Sequence, residues 1–140
     1  SEVAQERHAM TDRELLERAA KAAGIALMWH EPGGGQEPWC YIPEATAPHN
    51  RRAKDAESGT IWNPLADDGD ALRLAVRLRI DFYTSNTNGL SERTEENAVV
   101  CHSYNPTVPV SSLVSLSEPF GADPYAATRR AIVRAAAAMA

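Results

Sequence analysis

Two adjacent arginines, Arg129 and Arg130, follow Tyr125 by one helical turn and Phe120 by a few residues more, and a second aromatic turn occurs at Trp62-Asn63. A guanidinium grips phosphate through parallel N–H bonds, a helix N-terminus attracts anions, and aromatic faces stack on bases, which together are the ingredients of a nucleotide pocket. Trp62, Asn63, Phe120, Tyr125, Arg129 and Arg130 are therefore the candidate ligand-binding residues. The competing reading places Trp62 and Phe120 in the core and leaves both arginines as surface charges, because large aromatics are mostly explained by burial.

Other reactive residue types lack the spacing that chemistry needs. His8, His30, His49, His102, Cys40 and Cys101 are the soft metal ligands of the chain. Structural zinc sites use close pairs such as C-x2-4-C, whereas Cys101 and His102 are adjacent and would point to opposite faces of a strand. Neither a metal nor another cofactor is expected. Gly33-Gly34-Gly35 has neither the Lys-Ser/Thr of a P-loop nor a dinucleotide-binding context, and reads as a turn. Asp67, Asp68 and Asp70 lack the distal glutamate of a calcium loop and suit helix capping instead. Ser111, Ser112, Ser115 and Ser117 sit outside any Gly-x-Ser-x-Gly elbow. Glu95-Glu96 lies in a polar stretch where solvation keeps carboxylates ordinary. The expectation is binding without catalysis.

These groups must be held by a chain of 140 residues with 44% hydrophobic and 24% charged residues. That is the length of one ordinary domain, able to bury roughly two-thirds of its unfolded surface, and the composition is globular. Residues 10–140 read as one α/β domain, and residues 1–9, before Met10-Thr11, as a tag remnant or disordered N-terminus. No apolar run approaches the ~18 residues of a membrane span. The two distant cysteines read as buried free thiols in a reducing, cytoplasmic setting. A net charge of −5 argues against direct nucleic-acid binding, which favours a basic face.

Thr11-Asp12-Arg13-Glu14 is a capping box opening a helix that Gly24 closes. Ile25 to Trp29 and Trp39 to Pro43 form a predicted hairpin around the glycine turn, and Glu44 to Gly59 a long mobile loop. The aspartates at 67–70 start a second helix whose apolar face is read as Leu72, Leu74, Ala75, Val76 and Leu78. Ile80 to Thr84 and Ala98 to Tyr104 are strands, Leu90 to Asn97 an exposed excursion, and Val110 to Leu116 an edge strand or extended loop. Asp123-Pro124 caps the last helix. The order α-β-β-α-β-β-α predicts an α+β fold, with an antiparallel or mixed sheet of about four strands and helices packed on its faces in a sandwich-like arrangement. The smooth Ala135-Ala138 face predicts helix packing between copies and a homo-oligomer.

The segments Trp62 to Ile80 and Asp123 to Ala137, with Thr11 to Gly24 fitting more loosely, resemble the phage ABA sandwich domain of small phage and prophage proteins. The resemblance covers about a third of the chain and rests on turns and amphipathic helices, not on reactive groups. It implies a phage or prophage protein, with counter-defence as its setting. On that footing the expected function is sequestration of a cyclic nucleotide or ADP-ribose-like immune signal. The alternatives are an inhibitor that blocks a host defence complex, such as a CRISPR effector, by protein contact, and an uncharacterised nucleotide hydrolase.

Overall fold

The computed structural model describes residues 10–43, 59–86, 97–103 and 114–140. In chain order the elements are α1 (Asp12–Ala23), β1 (Met28–His30), β2 (Trp39–Pro43), β3 (Gly59–Ile61), α2 (Asp68–Leu78), β4 (Asp81–Asn86), β5 (Asn97–Ser103), β6 (Val114–Pro119) and α3 (Pro124–Ala137). The class is α+β, as the sequence predicts. Instead of one sheet of about four strands, the described residues form six strands in two antiparallel three-stranded sheets ordered β1-β2-β3 and β4-β5-β6.

Local signals set most boundaries. The Thr11 hydroxyl accepts from the Glu14 amide at 3.1 Å while the Glu14 carboxylate accepts from the Thr11 amide at 2.9 Å, a reciprocal cap that fixes the start of α1. Gly24 ends it in the left-handed conformation at φ 72°. Asp123 accepts from the amides of Tyr125 and Ala126, with Pro124 at the first helical position of α3. One terminus breaks the usual rule: α2 closes on Arg79 at φ 57°, a left-handed residue with a full side chain.

α3 is the centre of the molecule. It packs against α1, α2, β5 and β6, and Ala131, Ile132, Val133, Ala135, Ala136 and Ala137 are buried. The alanine face that suggested packing against another copy is thus already covered inside the chain, which removes that basis for oligomerisation. Small side chains let four neighbours approach one helix closely. Strand β5 supplies the opposing layer through Val99, Cys101 and Ser103, buried at every second residue.

Three further expectations are corrected. In α2 the buried residues are Asp70, Ala71, Leu74 and Ala75, a stripe at i, i+3, i+4 spacing, while Leu72 and Val76 stand about 100° around the helix and are exposed. The last strand, Val114–Pro119, continues past the expected end at Leu116. The expected 44–59 loop ends in β3, which pairs with β2 from Tyr41↔Ile61 to Pro43↔Gly59. Residues 1–9, 44–58, 87–96 and 104–113 lie outside the described residues, and with them His8, His49, Glu95, Glu96, Ser111 and Ser112.

Candidate functional site

The Trp62-Asn63-Pro64 turn is built around a buried carboxylate. Asp70 Oδ2 accepts from the Asn63 amide at 2.8 Å and Oδ1 from the Arg73 guanidinium at 2.9 Å. Asp67 caps α2 by accepting from the Asp70 amide at 2.8 Å. The Asn63 side-chain oxygen accepts from the Leu65 amide at 3.0 Å, and its carbonyl from the amides of Ala66 and Asp67. These bonds satisfy the orphan donors of a helix entry, the role the sequence assigned to the aspartates.

Each predicted ligand-binding residue can now be placed. Trp62 is buried, its amide donating to the Cys40 carbonyl and its own carbonyl accepting from the Cys40 thiol, both at 3.1 Å. Arg129 reaches from α3 to the same turn: Nε donates to the Leu65 carbonyl at 2.8 Å and Nη1 to Asp68 at 2.7 Å. Tyr125, one turn earlier on that face of α3, is 70% exposed. Arg130 turns instead to Asp12 at the start of α1, at 2.7 Å. Phe120 packs partly buried on the core, its amide donating to the Asn97 carbonyl at 2.9 Å. The fold therefore brings Arg129 to the Trp62-Asn63 turn, leaves Tyr125 exposed one helical turn away, and pairs Arg130 elsewhere.

Both cysteines are free and buried. Burial, reinforced by the nearby Asp70 carboxylate, pushes the Cys40 thiol up to about 12. Burial also pushes Cys101 up to about 11, with Arg134 opposing it. A thiol so raised carries almost no thiolate at neutral pH and is a poor nucleophile or metal ligand. Cys101 and His102 alternate across β5, and the His102 ring stacks on Tyr83 with centroids 5.8 Å apart. Among the described residues no three His, Cys, Asp or Glu side chains are grouped to hold a metal ion.

Sequence reasoning missed the outer face of the first sheet. Met28 and His30 on β1 pair in register with Tyr41 and Trp39 on β2, and alternation puts all four on the side opposite Cys40. The His30 and Trp39 ring centroids are 4.6 Å apart and those of Trp39 and Tyr41 are 5.8 Å apart. Met28 and His30 are exposed and Trp39 and Tyr41 half-exposed. The W-x-Y spacing within β2 was the available signal, since residues two apart share a strand face.

No known protein family, curated protein or solved structure matches the chain.

Proposed function

We propose that this chain is a non-enzymatic binding protein that acts by contact with a macromolecular partner. The observation that carries this reading is the row Met28, His30, Trp39 and Tyr41 on the outer face of the first sheet. Tryptophan, tyrosine and methionine are the side chains enriched at protein interfaces, where they supply large contact area with few torsions to freeze. On the resemblance to phage ABA sandwich proteins, the partner would be a component of a host defence complex, and the protein its inhibitor.

The test is affinity capture with wild-type protein and with a Trp39→Ala/Tyr41→Ser variant, followed by identification of the retained polypeptides. Loss of a specific retained protein with the folded variant supports the reading. Equal capture by both proteins refutes this face.

Sequestration of a cyclic nucleotide or ADP-ribose-like signal is the second reading, favoured by the exposed Tyr125 ring beside Arg129 at the α2–α3 junction. Arg129 is already neutralised by Asp68, so a phosphate would have to displace that carboxylate. Calorimetric titration with such nucleotides, repeated on Tyr125→Ala, decides it: no heat from the wild type rejects sequestration.

A further inference from the structure

The two edges of the second sheet are finished differently. The Asn97 carbonyl accepts from the Phe120 amide, one step beyond the Ala98↔Pro119 pair. In an antiparallel ladder, residues bond alternately to one side and the other. Asn97, Val99, Cys101 and Ser103 therefore bond toward β6, and Ala98, Val100 and His102 bond toward β4. By the same alternation, β6 presents Ser115, Ser117 and Pro119 to its free edge, and β4 presents Phe82 and Thr84.

On β6 that edge is guarded. Pro119 has no N–H to offer, and the Ser117 carbonyl accepts from Arg134 at 3.4 Å. Among the described residues the edge of β4 has no such device: it is Asp-Phe-Tyr-Thr-Ser-Asn, without lysine or proline. Phe82 and Tyr83 are 39% and 51% exposed, and Asp81 and Thr84 are exposed as well. Helix α3 packs over β5 and β6, and β4 is the outer strand beyond β5.

We infer that the β4 edge is a self-pairing surface, on which a second copy of this chain adds its own β4 antiparallel about Tyr83 to make one continuous six-stranded sheet. In this register Phe82 and Thr84 of each copy meet Thr84 and Phe82 of the other, so the outward N–H and C=O groups of both residues are bonded. Tyr83 faces the partner's Tyr83, extending the His102–Tyr83 stack across the two-fold axis. The one charge of the strand, Asp81, meets the neutral Ser85, and no like charges face each other. A strand that satisfies its own edge groups by two-fold symmetry closes the assembly at a dimer. This surface is separate from the aromatic face of the first sheet and does not depend on its role.

Sedimentation equilibrium tests the proposal together with targeted cross-linking. The wild type is expected at twice 15.2 kDa. Tyr83→Cys is expected to form a disulfide dimer on mild oxidation, because facing residues of a non-hydrogen-bonded antiparallel pair lie at cross-linkable distance. Ser117→Cys on the guarded edge should stay uncross-linked, and the native thiols are buried. Thr84→Pro deletes an outward N–H and leaves the β4–β5 bonds in place; it should sediment as a monomer with an unchanged circular-dichroism spectrum. If that variant unfolds, Tyr83→Lys places two ammonium groups face to face and should dissociate the dimer at low salt. A monomeric wild type, a dimer indifferent to both variants, or cross-linking of Ser117→Cys in preference to Tyr83→Cys would overturn the inference.

Discussion

The two sheets share one topology, a three-stranded antiparallel meander, and differ in what holds them. Strands β4, β5 and β6 have six, seven and six residues, and α3 lies across β5 and β6. Strands β1, β2 and β3 have three, five and three. The first sheet reaches the core through Cys40, Trp29 and Ile42, and α1 through Arg13. Cys40 and Trp62 exchange two bonds, Arg13 lies 4.3 Å from the Trp29 ring centroid, and Arg13 also pairs with Glu31. Strand pairing alone does not define an element's stability; the area it shares with a helix does. The first sheet should therefore open locally, and the second only with the whole molecule.

Removing its anchor tests this most severely. Trp62→Ala is expected to cost about 3–5 kcal/mol through the cavity it leaves. In native-state hydrogen exchange the amides of β1–β3 should lose protection far more than those of β5. Equal loss in both sheets would erase the distinction.

Alkaline pH acts on both sheets through one buried thiol each. The folded-state pKa of Cys40 is pushed up to about 12 and that of Cys101 up to about 11, against an unfolded value of ~8.5. Both native thiols hold their protons more tightly than the unfolded chain does. Their contribution is thus complete below about pH 8.5 and is lost as pH rises through the folded values, at up to ~1.4 kcal/mol per pH unit for each group. Denaturant titrations between neutral and pH 11 should show this decline, reduced in Cys40→Ala and in Cys101→Ala.

A milder pair of substitutions separates the thiols. Cys101→Ser places a hydroxyl at a fully buried position of the second sheet, and is expected to cost ~1–3 kcal/mol. Cys40→Ser keeps the bond to the Trp62 carbonyl and should cost less than ~1 kcal/mol. Thermal melts of both variants give the comparison. Smallest of all, Arg79→Gly, at the left-handed link between α2 and the second sheet, should stabilise by about 0.5–1 kcal/mol, because glycine carries no Cβ penalty there. A higher melting temperature with unchanged β1–β3 exchange would confine the gain to that side.

Local rules made the helices legible. The Thr11 capping box, Gly24 and Asp123-Pro124 act within four residues of themselves, so reading them requires no tertiary knowledge. The hairpin around Gly33-Gly35 and the run of β-formers in β5 were readable for the same reason. What failed depends on distant partners. Leu72 and Val76 share their chemistry with Leu74 and Leu78, and only the position of α3 decides which side of α2 is buried. Strand β3 has three residues and exists through pairing with β2. In the candidate site, residue types suggested Trp62, Asn63 and Arg129 as neighbours, and Arg129 does reach that turn. They could not reveal that Asp68 and Asp12 neutralise the two arginines, since those ion pairs span 61 and 118 positions.

Helix α3 carries a thermodynamic signature in its alanines. Alanine has no side-chain torsion between heavy atoms, so burying Ala131, Ala135, Ala136 and Ala137 immobilises four central positions without freezing a single rotamer. The entropy surrendered there on folding is that of the backbone alone. In a relaxation experiment, the alanine methyl axes of α3 will move only as the main chain moves, and so act as built-in reporters of rigidity at the middle of the protein.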